Sequence, residues 1–276
     1  VLAEPVGGLL DPLSELIGGL SIRARLPQIE VAVAENAVAL VFRVLDPPTA
    51  DDEAALQRFG NEHDLRIYLQ SGGLDSVTLL CPETPQEPLC YSLPEYDVRI
   101  DFDPIGFVQI NADVNRQMVH RAIELLDVAA EHRVLDLYCG IGNFSLPLAR
   151  KASAVLGVEG EAALVAAAEN NADANGLANA SFRCADLSAI DGTERWLREG
   201  WDRVLLDPAR NGAAEIVANI QAIGAERIVY VSCHPGTLAR DAGALVNTHG
   251  YRLEAAGIID MFPHTGHVES IAVFNK

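Results

Sequence analysis

The feature that most constrains the fold is an alternation of apolar runs with helical stretches beyond residue 106. The apolar runs are VLDLY, AVLGVEG, SFRCADL, RVLLD and RIVYVSC. Strands that alternate with helices form βαβ units around a parallel sheet, which helices cover on both faces. Ligands bind such sheets at the carboxyl ends of the strands. We therefore predict an α/β domain over residues 106–276, with a binding site at that edge of the sheet.

Residues 1–105 show a different pattern, which predicts a smaller α+β domain. Residues 22–45 read as two extended runs that reverse at Glu35-Asn36, and a polar helix is expected over residues 51–61. Further strands are predicted at RIYLQ, SVTLL and YDVRIDF. The change of pattern places the predicted domain boundary between residues 105 and 106, and 276 residues are enough for two modest domains.

Composition narrows the class of protein. Hydrophobic residues make up 49% of the chain and charged residues 21%, which is typical of a globular protein with a sizeable core. No apolar run reaches the roughly 20 residues that a membrane span needs, so we expect no membrane partner. Five cysteines at irregular spacing do not resemble a secreted disulfide framework, and a reduced, cytoplasmic monomer is expected.

The net charge of −19 argues against a nucleic-acid partner, because proteins that bind nucleic acids usually carry a basic surface. The sequence begins at Val1 rather than at a methionine, and we expect it to be a piece of a longer protein. A basic module elsewhere in that protein would reconcile the acidic charge with a polyanionic substrate.

The segment from Val134 to Arg150 predicts a turn that binds a cofactor. A strand that ends near Asp136 is followed by Gly140 and Gly142, which permit a tight turn and close approach to a ligand. A dinucleotide would fit this pattern nearly as well, but the third glycine of the dinucleotide fingerprint is absent. Glu159 ends the next strand, 17 positions after Gly142, where a carboxylate can accept both ribose hydroxyls. These details favour S-adenosylmethionine.

Two further acidic residues support a shared binding edge. Asp186 and Asp207 end the third and fourth strands, and Tyr138 offers an aromatic face. Asp186 is expected to accept a hydrogen bond from the adenine amino group. Each acid taken alone could be a helix cap or a solvated turn residue. Because acids end four successive strands, we predict a Rossmann-like S-adenosylmethionine methyltransferase domain.

Cys233 is the candidate nucleophile. The run RIVYVS leads to this cysteine at the same edge of the sheet, and Pro235 ends the strand directly afterwards. We expect nearby donors to lower the pKa of the thiol; the alternative is a buried, inert cysteine. Among the other cysteines, Cys139 is expected to pack within the glycine turn and Cys184 to lie in the core.

The segment DMFPHTGHVES before the last strand contains Glu269, the candidate base. His264 and His267 are three residues apart, a spacing that suits zinc, but no third ligand is evident. Cys81 and Cys90 also lack the spacing of metal ligands. We therefore predict no metal site.

Taken together, the motifs resemble the RNA uracil-5 methyltransferase family. They are GFVQIN at 106–111, DLYCGIGNF, GVEG, LLDPAR, SCHPGTLARD and DMFPHTGHVE, in the family's order. The best match is the branch that modifies a uridine of bacterial large-subunit (23S) ribosomal RNA. Residues 1–105 resemble the family's central domain more loosely. The resemblance implies methylation of uridine carbon 5 in RNA, with S-adenosylmethionine as cofactor and no DNA substrate.

The resemblance also implies a role for individual residues. Cys233 would add to carbon 6 of the uracil, and Glu269 would remove the proton from carbon 5. The target base would leave its stack to reach the thiol. The residues implied to hold the cofactor are Gln109, Tyr138, Asn143, Glu159, Asp186 and Asp207.

The chain departs from the family in several places. Ala209 and His234 stand where family members commonly have proline and asparagine. This branch usually carries an N-terminal RNA-binding β-barrel and a four-cysteine iron–sulfur cluster, and we recognise neither here. Cys81 and Cys90 do not replace the cluster motif, so an iron–sulfur cluster is expected only in a longer natural chain.

Three other functions were weighed. An RNA cytosine-5 methyltransferase would usually carry a cysteine beside the proline of the Asp207-Pro208 region, and none is present. A small-molecule methyltransferase would suit the acidic charge but leaves Cys233 and Glu269 unexplained. A fragment that only binds cofactor or partners would not need either residue.

Overall fold

The computed structural model describes residues 6–84 and 87–276, which form two compact units. The first unit comprises the chain up to Tyr91 together with Asp101–Val108, and the second comprises Ser92–Ile100 and Gln109–Lys276. The assignment of residues 1–105 and 106–276 to two functional domains stays a prediction. No helix in the described ranges is long and apolar enough to cross a membrane.

The first unit is built on a four-stranded sheet in the order β1-β2-β3-β4. Its helices and strands are α1 (Leu10–Gly19), β1 (Gln28–Val33), β2 (Val38–Arg43), α2 (Ala50–Glu62), β3 (Leu65–Gln70) and β4 (Val77–Cys81). The Ala34 amide donates to the Ala37 carbonyl at 2.9 Å, which confirms the reversal predicted at Glu35-Asn36. Helix α2 confirms the helix predicted over residues 51–61, whereas α1 was not predicted.

Helix α2 begins where a capping box fixes its first turn. The Asp52 amide donates to the Thr49 hydroxyl at 3.2 Å, and the Asp52 carboxylate accepts from the Thr49 amide at 3.0 Å. The same carboxylate accepts from the Ser21 amide at 2.7 Å. The Ser21 hydroxyl also donates to the carboxylate at 2.5 Å, and this hydrogen bond, followed by those from the backbone amides, holds the pKa of Asp52 well below its ordinary value despite its burial. Asp52 therefore ties the segment after α1 to the start of α2.

Strands β5 (Leu89–Leu93) and β6 (Val98–Phe102) pair as a two-stranded sheet. The second unit also contains seven further strands and six further α-helices among the described residues. They are α3 (Ala112–Leu126), β7 (Arg133–Leu137), α4 (Ser145–Ala149), β8 (Ala154–Glu159), α5 (Ala162–Ala174), β9 (Ala180–Cys184), β10 (Arg203–Leu206), α6 (Ala214–Ala218), α7 (Ile220–Ile223), β11 (Arg227–Ser232), α8 (Pro235–Asn247), β12 (Arg252–Ile259) and β13 (Glu269–Asn275).

The seven-stranded sheet has the order β12-β13-β11-β10-β7-β8-β9. Strands β7 to β11 are parallel, and β13 lies antiparallel between β11 and β12. The predicted α/β architecture is thereby confirmed, and β12 is a strand that the sequence analysis does not predict. The strand order reverses between β7 and β10, because β8 and β9 continue on one side and β10 and β11 on the other. Such a switch point is where open α/β sheets bind ligands.

Position in the sheet decides which strands are buried. The central strands β7, β10 and β11 are almost completely buried, and Leu135, Leu206 and Tyr230 contribute to one core cluster. Strands β9 and β12 are the edges and are largely exposed. Cys184 is accordingly exposed at the end of β9, so its expected place in the core is wrong. Cys139 is buried, as predicted.

Candidate active site

The chain turns sharply after β7, and the turn leaves open space above it. Tyr138, Gly140 and Gly142 have positive φ angles of 66°, 54° and 98°. Glycine adopts this conformation without a Cβ clash, whereas for tyrosine it is strained, and such strain clusters at functional sites. No atom lies within 4 Å of the position that a Cβ on Gly140 would occupy. A ligand can therefore approach the backbone there.

Asp136 lies buried in β7 just before this turn. The Ser145 hydroxyl, at the start of α4, donates to its Oδ2. Among the residues that the structure describes, Oδ1 of Asp136 is a buried side-chain oxygen without a hydrogen-bond partner. Burial, with a smaller contribution from the charge of Glu159, raises the pKa of Asp136 to about 7 despite the Ser145 hydrogen bond. The sequence identified Asp136 as a strand end but did not show that its carboxyl is buried.

Glu159, the last residue of β8, joins that strand to the glycine turn. Its Oε2 accepts from the Gly140 amide at 3.1 Å. Its Oε1 accepts from the amides of Gly160 at 2.6 Å and Glu161 at 3.3 Å. An ionised carboxylate has about four acceptor positions, so it can hold the turn and still accept from a ligand. Both interpretations of Glu159, as a turn residue and as a ribose acceptor, fit this geometry.

Asp186 lies two residues beyond β9 and is largely exposed. Its Oδ1 accepts from the Ser188 amide at 2.9 Å and from the Ser188 hydroxyl at 2.6 Å. The hydrogen bonds from Ser188 lower the pKa of Asp186. Asp186 is therefore an ionised acceptor at neutral pH.

Asn143 and Gln109 are associated with helix α3. The amides of Asn143 and Asn115 form a reciprocal pair, with both N–O distances at 3.0 Å. Asn115 is buried on α3, so this pair holds the helix against the glycine turn. Gln109 is partly exposed and lies in the segment before α3, two residues before Asn111, the N-cap of that helix. Gln109 is the one predicted cofactor residue that does not follow a strand of the sheet.

Asp207 follows β10 on the other side of the switch point. Its amide donates to the Leu137 carbonyl at 3.3 Å, which sets it beside the start of the glycine turn. Burial, followed by the charges of Glu269 and Asp136, raises the pKa of Asp207 to about 7. Asp207 is therefore able to gain or lose a proton near neutral pH.

The sheet brings the predicted nucleophile and base together. Ser232 on β11 pairs with Ser270 on β13 in antiparallel register. Cys233 directly follows Ser232 and Glu269 directly precedes Ser270, so the register brings the two residues to the same end of these neighbouring strands, where the charge of Glu269 acts on the thiol. The Cys233 side chain is partly exposed and Glu269 is 4% exposed. A substrate can thus reach the thiol while the carboxyl group remains shielded from water.

The pKa of the Cys233 thiol is raised, so the expectation of a lowered value is wrong. Burial contributes most, followed by the negative charges of Glu269 and Asp207, and the charge of Arg210 opposes them only in part. Burial also raises the pKa of Glu269. The thiol is therefore protonated at neutral pH before a substrate binds.

Arg210 is a residue of this site to which the sequence assigned no role. Its guanidinium lies 2.8 Å from Nδ1 of His267, and the rings of His267 and Phe262 meet edge to face at 5.9 Å. His267 thus contacts an arginine rather than a second metal ligand. The motif LLDPAR could have identified Arg210, because it places a positively charged side chain three residues after Asp207.

Known proteins share both the sequence and this arrangement of strands. A family model described as tRNA (Uracil-5-)-methyltransferase matches residues 93–276. The chain belongs to this family. It is 54% identical over 276 residues to the 23S rRNA (uracil(1939)-C(5))-methyltransferase RlmD of Methylococcus capsulatus, covering all of this chain and 62% of that protein. It is 50% identical over 271 residues to RlmD of Xanthomonas campestris pv. campestris, covering 98% of this chain and 61% of that protein.

The chain therefore spans about three-fifths of the length of these relatives. A solved structure in the same family, the Pyrococcus abyssi tRNA (uracil-54, C5)-methyltransferase in complex with S-adenosyl-L-homocysteine, matches with a TM-score of 0.69 and 26% identity. That match covers 88% of this chain and 58% of the archaeal one. Trm5b from the same organism matches at 0.60 with 16% identity, over 91% of this chain and 76% of its own, and this likeness concerns the fold alone. The Rossmann-like methyltransferase fold is thus confirmed.

Proposed function

We propose that this chain is the catalytic part of an RNA methyltransferase that modifies carbon 5 of a uridine in 23S ribosomal RNA, with S-adenosylmethionine as methyl donor. The observation that carries the proposal is the register that pairs Ser232 with Ser270 and so brings Cys233 and Glu269 to the same end of neighbouring strands, in a sheet that also carries the glycine turn after β7. The RlmD relatives act on 23S rRNA by name, which supports the choice of substrate. A cytoplasmic monomer remains our prediction.

The residues present fit the cofactor. S-adenosylmethionine, when bound, supplies a methyl group carried on a positively charged sulfur. The open space above Gly140 admits a ligand against the turn, and Glu159 and the ionised Asp186 provide acceptors for hydroxyl and amino groups. We propose that the residues that hold the cofactor are Gln109, Tyr138, Asn143, Glu159, Asp186 and Asp207.

The reaction site supports nucleophilic catalysis. The Cys233 thiol first gives up its proton, which the neighbouring Asp207 carboxylate is suited to accept because its pKa is about 7. The thiolate then adds to carbon 6 of the uracil, and the electrons of the carbon 5–carbon 6 double bond move onto the carbonyl oxygen at carbon 4. Carbon 5 of this enolate would then take the methyl group that bound S-adenosylmethionine supplies, which would leave S-adenosylhomocysteine and restore the carbonyl at carbon 4.

Glu269 completes the reaction. Its carboxylate removes the proton from carbon 5, the carbon 5–carbon 6 double bond forms again, and the carbon–sulfur bond to Cys233 breaks. Glu269 is 4% exposed, so water does not compete with the substrate for this carboxylate. Burial raises the pKa of Glu269, which makes it a stronger base once ionised.

The proposal is tested with ribosomal RNA fragments that contain 5-fluorouridine, mixed with S-adenosylmethionine and the protein. Fluorine at carbon 5 cannot leave as a proton, so the covalent adduct should survive in denaturing gels. We expect the adduct with the unmodified chain and with Cys184→Ser, which alters an exposed cysteine outside the site, and no adduct with Cys233→Ala. An adduct that persists in Cys233→Ala, or none with the unmodified chain, contradicts the proposal.

A second candidate function is methylation of a small molecule, which the net charge of −19 favours. An acidic surface repels a polyanion but not a small neutral or cationic substrate. Methyl transfer from S-adenosylmethionine to small acceptors, without any RNA adduct, would favour this second function.

A further inference from the structure

A single buried carboxylate holds the loop that follows β10. Asp241 on α8 is 2% exposed. Its Oδ2 accepts from the Tyr230 hydroxyl at 2.7 Å and from the Ala213 amide at 2.9 Å, and its Oδ1 accepts from Nε of Arg240 at 2.8 Å. Tyr230 lies on β11, so Asp241 joins a strand, a helix and the end of the loop over residues 207–213.

Two neighbours of Asp241 on α8 hold the backbone of the same loop. The Arg240 guanidinium donates to the Asn211 carbonyl at 2.9 Å, and the Thr237 hydroxyl shares its proton between the Arg210 carbonyl at 3.2 Å and the His234 carbonyl at 3.0 Å. The loop is thus bound to α8 at three successive points. A buried, charge-assisted group of this kind fixes geometry more firmly than surface contacts do.

Gly212 shows how closely the loop approaches the helix. Its φ angle is 79°, and a Cβ there would lie 2.6 Å from the Arg240 guanidinium and 2.7 Å from Oδ2 of Asp241. Neither the backbone conformation nor the space suits a side chain. Glycine at position 212 therefore allows the loop to pack directly against Asp241.

The same loop carries Arg210, whose positive charge opposes only in part the rise in the pKa of the Cys233 thiol. Among the groups that shift the pKa of this thiol, Glu269 and Asp207 raise it and Arg210 lowers it. Arg210 also contacts Nδ1 of His267 at 2.8 Å. Because the loop backbone is held at the Arg210 carbonyl and beyond, the place of the guanidinium depends on how the loop is anchored to α8.

We propose that Asp241 is a positioning residue for the reaction site: it anchors the loop over residues 207–213 to α8 and thereby fixes the Arg210 guanidinium at its contact with His267, two residues before Glu269. This role deepens the proposed function, on which it rests for the importance of Cys233. Thiol reactivity is measurable without RNA or cofactor, so the two proposals can fail separately.

The experiment follows the alkylation of Cys233 by iodoacetamide as a function of pH, with the modified peptide identified by mass spectrometry. Cys184→Ser serves as the background, because Cys184 is exposed. Arg210→Gln is expected to move the pH midpoint upward by roughly half a unit, which slows alkylation at neutral pH about threefold. Asp241→Asn should move it in the same direction, and the double variant should move it no further than Arg210→Gln alone.

An Asp241→Asn midpoint equal to that of the background, or a double variant in which the two shifts add, overturns the proposal. Buried Cys139 reports on folding in the same digest, since it is alkylated only when the core opens. If Asp241→Asn exposes Cys139, Thr237→Val replaces it, with Thr237→Ser as the matched control that retains the hydroxyl. Thr237→Val should then shift the midpoint upward and Thr237→Ser should not; equal midpoints overturn the proposal.

The outcomes separate the two proposals. If Asp241→Asn and Arg210→Gln show the shared, non-additive shift but the unmodified chain forms no adduct with 5-fluorouridine RNA, the proposed function is contradicted and the role of Asp241 remains. A chain that forms the adduct but shows no shift in Asp241→Asn contradicts the role of Asp241 alone.

Discussion

Acidic side chains lie at or near strand ends on both sides of the point where the strand order reverses, but their surroundings differ. On the β8–β9 side, Glu159 and Asp186 accept hydrogen bonds from backbone amides, and the bonds from Ser188 lower the pKa of Asp186. On the β10–β11 side, burial raises the pKa values of Asp207 and Glu269. Hydrogen bonds thus favour the ionised form of Asp186 on one side, whereas burial favours the protonated forms of Asp207 and Glu269 on the other.

The comparison teaches that local donors, rather than position at a strand end, set the chemistry of a carboxyl group. The turn at Gly140 and Gly160 points amides at Glu159. On the other side, Asp207 and Glu269 lie close enough to Cys233 for both charges to raise the pKa of its thiol. The first side offers hydrogen-bond acceptors to a ligand, and the second, where Asp207 is also a proposed cofactor residue, carries in addition the groups suited to move protons.

Glu269→Gln tests the contrast between the two sides most strongly, because we expect it to have the largest effect on turnover. Without a base at this position, turnover on uridine RNA should fall by roughly 100-fold to 10,000-fold. The covalent adduct should accumulate on ordinary uridine RNA, because the proton at carbon 5 is no longer removed, and denaturing gels would detect it. Cofactor affinity should not change. If Glu269→Gln weakens cofactor binding, the two sides do not have separate tasks.

Glu159→Gln is the complementary change, with a smaller expected effect. It removes the charge that strengthens the hydrogen bonds proposed to the ribose hydroxyls, so the affinity for S-adenosylmethionine should fall roughly tenfold or more. Isothermal titration calorimetry measures this loss, with the exposed Glu161→Gln as the matched control. The pH midpoint of Cys233 alkylation should stay where it is. A Glu159→Gln protein that binds cofactor normally contradicts the role proposed for the β8–β9 side.

The sequence was sufficient where the signals are local. The alternation of strands and helices, the glycine turn and the acid at Glu159 all depend on residues close together in the chain, and the structure has each of them. Cys233 and Glu269 were each identified as candidates by their motifs. Their meeting could not be predicted, because it depends on β13 pairing antiparallel with β11.

The failures share a physical cause, since burial and charge come from residues distant in the sequence. Cys184 was expected in the core, but it is exposed because β9 is an edge strand. The order of strands in a sheet cannot be predicted from the residues of one strand. The thiol of Cys233 was expected to have a lowered pKa, but burial and distant acids raise it. Strand β12 has small residues and little burial, which leaves no periodic apolar signal.

The most direct test of the contrast between the two sides is a carboxyl carbon-13 NMR titration of the protein between about pH 5 and pH 9, a window above the ordinary carboxyl pKa values. Asp207→Asn and Asp186→Asn identify the two resonances. Since burial and the charge of Glu269 raise the pKa of Asp207, its resonance should titrate near pH 7, whereas that of Asp186 should not change. An Asp207 resonance that stays in its ionised position across the whole range would contradict the account.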